Sequence, residues 1–243
     1  MASKGMMAAL LALAITPWLA GCDMPWSADD GRIETAREFP PADRPVAAVD
    51  STNWSTEEAR DRVNEADEVM DAADVRPGMT VADIGAGDGY YTVRLALRVG
   101  PGGRVLAQDI LPESIERLAD RVGRDRLDNV SLKLGAVDDP RLPENSFDRV
   151  FMVHMYHEIE EPYAFLWRLR SALSAGGQVI VVDANRPVDQ HGTPFRLLVC
   201  EFEAVGYKLK AFNDKQHAGG YLARFVPEGK RPEPENITVC KNP

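Results

Sequence analysis

Three glycines behind an acidic residue are the part of this sequence with the clearest chemical meaning. Gly85, Gly87 and Gly89 stand at alternate positions, and Asp83 lies two positions ahead of them near the end of an apolar run. Glycine lets the backbone approach a ligand closely, and a helix that begins after Gly89 presents unpaired N–H groups to it. Strand, glycine turn and helix begin a βαβ unit, so the pattern predicts a ligand site at the end of a buried strand. The alternative is a tight turn that binds nothing.

A second acidic residue, Asp109, lies near the end of the next predicted strand, residues 104–110. At the tip of the second strand of a parallel sheet, a carboxylate can accept hydrogen bonds from both hydroxyls of a ribose. The glycines are spaced G-x-G-x-G, however, whereas dinucleotide-binding proteins have G-x-G-x-x-G. Asp109 is compatible with a ligand that carries a ribose. The glycine spacing, together with the terminal hairpin predicted below, disfavours a nicotinamide oxidoreductase.

Two histidines follow the fourth predicted strand, where the substrate side of such a site is expected. A histidine with a pKa near neutrality can take a proton from a hydroxyl or an amine, so His154 and His157 are candidate catalytic bases. The equal alternative is that both histidines only pack or hold a loop. Their His-x-x-His spacing needs a third ligand such as Asp183 to bind a metal, and we predict no metal site.

Predicted strands alternate with predicted helices over most of the chain. A capping box of Ser55 and Glu58 opens a helix that runs to about Ala73. Strands follow at 80–84, 104–110, 130–134, 148–153 and 178–182, with helices after the glycine turn and at about 112–122, 162–173 and 193–205. This alternation predicts a parallel sheet between two helical layers, with its ligand at the carboxyl ends of the strands. Two alternating segments, 207–212 and 220–226, predict a final antiparallel hairpin.

The D-x-G-x-G-x-G stretch in Val81–Tyr90 resembles the first motif of the class I methyltransferases that use S-adenosylmethionine. Leu142–Asp148 is similar to that family's L-P-x-x-S-F-D segment, and Leu173–Gly177 to its L-x-P-G-G turn, with Ala175 in place of the proline. The resemblance extends over about residues 54–226. It implies an α/β fold: a Rossmann-like three-layer sandwich with a mostly parallel seven-stranded sheet and a C-terminal antiparallel hairpin.

The same resemblance implies roles for individual residues toward S-adenosylmethionine. Asp109 holds the ribose and Ile110 packs on the adenine. Many members carry an acidic residue directly after the glycine of the third loop, but Ala136 stands there, so Val137 and Asp138, or else Asp139, are expected beside the adenine. The residues expected around the methionine end of the cofactor are Asp83, Gly85, Ala86, Gly87 and Gly89.

The charge of the chain narrows the class of partner. The 243 residues carry a formal net charge of −10, with no dense run of lysine or arginine. An acidic surface repels phosphate backbones, so we expect no nucleic-acid partner and a small-molecule substrate. The expected function is methyl transfer from S-adenosylmethionine to a small acceptor. The alternative is a lipid-anchored protein that binds a nucleoside ligand with this fold but transfers no methyl group.

The amino terminus has the pattern of an export signal. Lys4 is followed by the apolar run Met6–Ile15 and by Leu19-Ala20-Gly21-Cys22, which resembles the lipobox of bacterial lipoproteins. A plain signal peptide or an uncleaved anchor is the alternative. We expect a lipid anchor at Cys22 and a membrane-anchored domain that faces the periplasm. The expected organisation is a lipoprotein signal peptide at 1–21, a flexible tether at 22–53, the methyltransferase domain at 54–228 and a C-terminal tail at 229–243.

Two further cysteines, Cys200 and Cys240, would be able to pair in an oxidising periplasm. The sequence does not say whether they come within bonding distance, so a disulfide and two separate thiols stay open.

Overall fold

A computed structural model describes residues 31–49, 56–215 and 220–242. Its strands are β1 Thr80–Ile84, β2 Arg104–Asp109, β3 Val130–Leu134, β4 Phe147–Val153, β5 Leu173–Asp183, β6 Tyr207–Lys215 and β7 Gly220–Pro227. Its α-helices are α1 Glu57–Arg62, α2 Glu65–Ala72, α3 Tyr90–Val99, α4 Pro112–Asp125, α5 Pro162–Ala172 and α6 Phe195–Ala204.

The strands form a seven-stranded sheet in the order β3-β2-β1-β4-β5-β7-β6. The pairs among β1 to β5 are parallel, and β7 runs antiparallel to both β5 and β6. Strand β1 pairs with β2 on one side and β4 on the other, so the order of connection reverses beside it. In such sheets the crevice at this reversal, outside the carboxyl ends of the strands, is where ligands bind.

Both faces of the sheet are buried. Val150 and Met152 of β4 belong to one hydrophobic cluster with α5 and α6, whereas Phe151 between them belongs to a second cluster with α2 and α3. Burial on both faces is why β4 and β5 are nearly continuous apolar runs. The predicted three-layer Rossmann-like sandwich with its closing hairpin is confirmed.

The segment before β1 differs from the prediction of one helix. Asn64 adopts a left-handed conformation with φ of 53° and separates α1 from α2. Asparagine tolerates this conformation better than most residues, and it cannot continue a right-handed helix. The N-cap of α1 is Thr56, whose side chain accepts a hydrogen bond from the backbone N–H of Ala59. The predicted N-cap, Ser55, lies outside the described residues.

Residues 31–49 lie against the domain, so the prediction of a flexible tether is wrong for this segment. Phe39 is fully buried, and its ring packs edge-on against Trp167 at a centroid distance of 5.4 Å. Arg32 Nε donates to Glu161 at 2.8 Å, and Arg44 Nε donates to buried Glu201 at 2.9 Å. The rest of the predicted tether, 22–30 and 50–53, lies outside the described residues, as do the predicted signal peptide and Cys22.

A disulfide joins Cys200 of α6 to Cys240, with Cα atoms 6.0 Å apart. The backbone N–H of Cys240 also donates to the buried hydroxyl of Tyr163 at 2.7 Å. The disulfide and this hydrogen bond attach the C-terminal segment to the helical layer formed by α5 and α6. Among the described residues, no helix combines the length and the apolar content needed to cross a bilayer.

Candidate functional site

A cavity of about 380 Å³ lies at the carboxyl ends of β1, β2 and β4, beneath α1. Its walls come from the glycine turn, the end of β2, the segment after β4 and the lid helix α1. The lining residues are Val49, Thr56, Glu57, Arg60, Gly85, Ala86, Gly87, Asp88, Tyr90, Gln108, Asp109, Ile110, Leu111, Val153, His154, Met155, Glu158 and Phe165. The sheet therefore brings together several of the site residues that were predicted from the sequence. They are Gly85, Ala86, Gly87, Asp109, Ile110 and His154.

The glycine turn needs glycine for two different reasons. At Gly85 φ is +66°, and a Cβ there would lie 2.9 Å from the Met155 side chain. At Gly89 φ is +86°, and a Cβ would lie 2.4 Å from Leu118 Cδ1 of α4. Gly85 thus shapes the wall of the cavity. Gly89 instead allows α3 and α4 to pack closely, and it does not belong to the described cavity lining.

Asp109 connects the two sides of the crevice. Its Oδ2 accepts a hydrogen bond from the backbone N–H of Gly87 at 2.9 Å, and its Oδ1 accepts one from Leu111 N–H at 2.9 Å. The carboxylate is buried at the end of β2 and lines the cavity. A carboxylate has about four acceptor sites, so two remain for a ligand hydroxyl.

Asp83 has a different place from the one predicted. It is buried, and it accepts a hydrogen bond from the Thr92 hydroxyl at 2.6 Å. Burial raises the pKa of Asp83 to about 6, although the hydrogen bond from Thr92 opposes the shift. Asp83 is absent from the lining of the described cavity. It joins β1 to α3 below the glycine turn, because the carboxylate points toward α3.

Asp138 and Val137 also lie away from the cavity that the described residues form. The Asp138 carboxylate accepts a hydrogen bond from Thr35 Oγ1 at 2.6 Å and is paired with Arg168. A backbone hydrogen bond from Ala136 N–H to the Asp139 carbonyl, 2.8 Å long, turns the third loop back on itself. Asp138 is thus engaged by Thr35 and Arg168, and its expected place beside the adenine stays a prediction.

His154 lies in the cavity wall and faces a carboxylate. Its Nε2 is 3.3 Å from Oε1 of Glu65, and both side chains are almost fully buried. Burial lowers the pKa of His154 although Glu65 opposes the shift, so the imidazole is neutral at pH 7 and able to accept a proton. Burial would raise the pKa of Glu65, but His154 and Arg60 outweigh it and lower this pKa to about 2.

His157 points to a second carboxylate. Its Nδ1 lies 3.0 Å from Oδ1 of Asp183, which also accepts hydrogen bonds from Thr193 Oγ1 and from Ala184 N–H. His157 is buried and does not line the described cavity, although its neighbour Glu158 does. The third ligand that the His-x-x-His spacing would need is not shared among the described residues, because His154 faces Glu65 whereas His157 faces Asp183.

Several residues of this site were not predicted from the sequence. Glu65 stands in the acidic cluster Glu65-Asp67-Glu68, which by itself indicates a solvated helix face, yet Glu65 is 2% exposed and Arg60 Nη2 lies 2.7 Å from its Oε1. Because the helix breaks at Asn64, the face of α2 that is buried differs from the one that a single continuous helix would bury. The apolar spacing along the chain fits one continuous helix, so it does not reveal that Glu65 is buried. Gln108, beside Asp109, places a buried Nε2 at the site with no hydrogen-bond partner among the residues that the structure describes. Its polar side chain within an apolar strand was the available signal.

Ion pairs hold the lid helix α1 over the cavity. Asp61 is paired with Arg94 of α3 at 2.6 Å, and Glu57 with Arg121 of α4 at 2.5 Å. The Tyr90 ring lies between the guanidinium groups of Arg60 and Arg94, at 3.9 Å and 3.7 Å from its centroid. The lid thus combines charge and aromatic contacts at the mouth of the site.

Comparison with known proteins identifies one family for this chain. A family model described as a methyltransferase domain matches residues 76–218. The chain is 36% identical over 178 residues to the ubiquinone/menaquinone biosynthesis C-methyltransferase UbiE of Bordetella avium, covering 69% of this chain and 63% of the relative. It is 32% identical over 113 residues to the protein-L-isoaspartate O-methyltransferase of Methanothrix thermoacetophila, covering 46% of this chain and 51% of the relative. The chain thus spans less than two thirds of the length of these relatives.

Solved structures show the same fold at low identity. A SAM-dependent methyltransferase from Aquifex aeolicus aligns with a TM-score of 0.60 at 22% identity, covering 70% of this chain and 97% of that one. The [4+2]-cyclase SpnF aligns with a TM-score of 0.61 at 17% identity, covering 78% of this chain and 90% of that one. These likenesses establish the fold alone.

Proposed function

Because this chain belongs to the family of methyltransferase domains, we propose that it transfers the methyl group of S-adenosylmethionine to a small-molecule acceptor. The observation that carries the proposal is that Gly87, Asp109 and Ile110 line the same cavity as His154. Cofactor-holding residues and a candidate base thus border the same space.

The walls of the cavity fit this cofactor. The backbone of Gly85 and Gly87 can lie against the methionine part, and the Asp109 carboxylate has acceptor sites left for the ribose. Ile110 offers an apolar surface to the base. When bound, S-adenosylmethionine supplies an electrophilic methyl carbon and a neutral leaving sulfur. The Asp109 carboxylate at the cavity wall favours its sulfonium charge.

His154 is the residue that takes the acceptor's proton. Its lowered pKa keeps it unprotonated at neutral pH, and Glu65 at 3.3 Å stabilises the imidazolium once the proton has moved. The acceptor's lone pair is then free to form the bond to the methyl carbon. Lid helix α1, fixed by Asp61 and Glu57, limits the entry of water.

Calorimetric titration with S-adenosylmethionine and S-adenosylhomocysteine tests the proposal. We expect saturable binding of both ligands, weakened at least about 10-fold in Asp109→Asn because a charge-assisted hydrogen bond to the ribose is lost. The matched control is Asp120→Asn, an exposed position on α4, which should bind like the wild type. Absence of binding at millimolar ligand would contradict the proposed function.

Membrane attachment at Cys22 and a periplasmic location complete the proposal. It is supported by the Leu19–Cys22 pattern and by the Cys200–Cys240 disulfide, because such bonds persist in oxidising compartments. Mass spectrometry of the membrane fraction should find a lipidated Cys22 as the first residue of the mature chain. Cys22→Ser should release the protein from that fraction. An unmodified Cys22 within an uncleaved cytosolic chain would refute this part.

Nucleoside binding without methyl transfer is the second candidate. The observation that favours it is the export pattern, since S-adenosylmethionine is made in the cytosol. The ligand that copurifies with the mature protein separates the two candidates. S-adenosylmethionine or S-adenosylhomocysteine supports the transferase, whereas a different nucleoside supports the binding protein.

A further inference from the structure

Three potential metal ligands converge beside the cavity, and the proposed methyl transfer does not use them. They are His157, Glu158 and His191, whose ligand atoms all lie within 4.8 Å of one another. His157 Nε2 is 4.0 Å from Glu158 Oε1. The rings of His157 and His191 are perpendicular, with centroids 5.6 Å apart. Two imidazoles and one carboxylate therefore lie close to one another at this place.

A carboxylate on the Nδ1 side of the ring fixes the orientation of His157. Asp183 is fully buried and lies 3.0 Å from His157 Nδ1. Thr193 Oγ1 donates to Asp183 at 2.7 Å and Ala184 N–H donates at 2.8 Å, so the carboxylate cannot turn away. When Nδ1–H donates a hydrogen bond to this carboxylate, the Nε2 lone pair is left to face the cluster. This carboxylate–histidine pair is the usual support of a metal-binding imidazole.

His191 reaches the cluster because the loop after β5 closes on itself. Thr193 N–H donates to the Ala184 carbonyl at 2.8 Å, and Arg186 donates to the His191 carbonyl at 2.9 Å. His191 itself has φ of 55° at the end of the short 3-10 helix Val188–Gln190. The loop after β4 supplies His157 and Glu158. The ligands thus come from two neighbouring strand ends, where the sheet holds its sites.

We propose that His157, Glu158 and His191 bind one divalent transition-metal ion, with Zn²⁺ the best match. Two histidines and a glutamate are a known catalytic zinc set that leaves one coordination position open. Ligand atoms about 2 Å from a tetrahedral ion lie about 3.3 Å apart, so the side chains, now up to 4.8 Å apart, need to close by up to about 1.5 Å. Glu158 also lines the cavity, so the open coordination position of the proposed ion would face the cavity.

The use of this open position rests on the proposed methyl transfer. A hydroxyl or thiol of the acceptor would bind the metal there, and its proton would pass to His154. The acceptor's heteroatom then forms the bond to the methyl carbon, and the carbon–sulfur bond breaks with its electron pair moving to sulfur. The acceptor class is therefore a small molecule with an ionisable hydroxyl or thiol.

Zinc titration of the untagged full chain, first stripped with a chelator, tests the site by calorimetry and by elemental analysis. We expect one equivalent of Zn²⁺ in the wild type and at least about 10-fold weaker binding in His191→Ala and Glu158→Gln. Asp183→Asn should weaken binding by roughly 10- to 100-fold, because it disturbs the orientation of His157. His154→Ala is the matched histidine control and should keep one equivalent. Circular dichroism confirms that each variant is folded.

The outcomes separate this inference from the proposed function. Substoichiometric zinc in the wild type, or equal affinity in the wild type and His191→Ala, would overturn the metal site. Binding of S-adenosylmethionine in that same sample would leave methyl transfer standing. One equivalent of zinc without any binding of S-adenosylmethionine would support the metal site and contradict the transferase. Cobalt substitution adds a check: the near-ultraviolet spectrum should lack a thiolate-to-cobalt charge-transfer band, and such a band would contradict the histidine and glutamate ligand set.

Discussion

His154 Nε2 and Glu65 Oε1 lie 3.3 Å apart, with one residue directly after β4 and the other in α2. Arg60 of the lid helix pairs with the same carboxylate at 2.7 Å. A buried carboxylate therefore joins the candidate base to the lid above the cavity. We therefore expect Glu65 to influence both the pKa of His154 and the stability of the lid helix.

The pKa of His154 should be lower than that of an ordinary histidine. Burial disfavours the imidazolium, and Glu65 opposes this shift. NMR titration of the His154 ring should give a midpoint below 6.5, which is the ordinary value for histidine. Glu65→Gln should move the midpoint lower still, because the negative partner is gone. A midpoint that rises in Glu65→Gln would contradict this pairing.

Glu65→Gln should also destabilise the fold, by about 3 kcal/mol, because removal of one partner of a buried ion pair leaves Arg60 uncompensated. Urea unfolding at pH 7 measures the change. The control is Asp67→Asn in the same helix, since Asp67 is exposed and its pair with Arg98 lies in solvent. That variant should stay within about 0.5 kcal/mol of the wild type. Equal effects of the two changes would show that Glu65 has no special role.

Asp83 should make stability depend on pH with a defined sign. Its pKa is about 6 in the folded protein, above the ordinary 3.8, so the folded state binds more protons between these values. The stability contribution is fully present below 3.8 and is lost as the pH rises through about 6. Asp83→Asn keeps an acceptor for Thr92 but removes the charge.

We therefore expect the stability difference between Asp83→Asn and the wild type to shift in favour of the variant from pH 4.5 to pH 8. Urea unfolding at the two pH values measures it, with exposed Asp120→Asn as the control that should show no such shift. A difference independent of pH would mean that the Asp83 pKa is not raised.

The Cys200–Cys240 disulfide should stabilise the protein by about 2–4 kcal/mol. Thermal unfolding with and without a reductant measures this, and the wild type should lose stability when it is reduced. With or without the reductant, Cys200→Ser should be as stable as the wild type is after its disulfide has been reduced. Sensitivity of Cys200→Ser to the reductant would point to a different thiol effect.

Phe39 should be a strong anchor of the segment 31–49. The ring is fully buried against Trp167, so Phe39→Ala should cost about 3–5 kcal/mol, as for other core aromatic residues. Val46→Ala, at a position 40% exposed in the same segment, should change stability by less than about 1 kcal/mol. A neutral Phe39→Ala in denaturant unfolding would restore the interpretation of this segment as a tether.

Local signals in the sequence were enough for the framework of the site. Strand β1, the glycine turn and Asp109 are encoded within short stretches, and parallel strands place their carboxyl ends at one edge of the sheet. The cavity position and the roles expected of Gly85, Gly87 and Asp109 follow from that rule. The same stretches did not show that Asp83 lies outside the cavity lining, because an acidic residue on a strand can face either the crevice or the neighbouring helix.

The sequence alone determined the fold, the glycine turn and the position of Asp109 and His154 at the strand ends. Only the tertiary structure decided which partners the histidines have. Glu65 meets His154 because Asn64 breaks the helix, and Asp183 meets His157 because β4 and β5 are adjacent. Side-chain pairs between distant segments depend on packing and register in three dimensions, and neither leaves a periodic pattern along the chain.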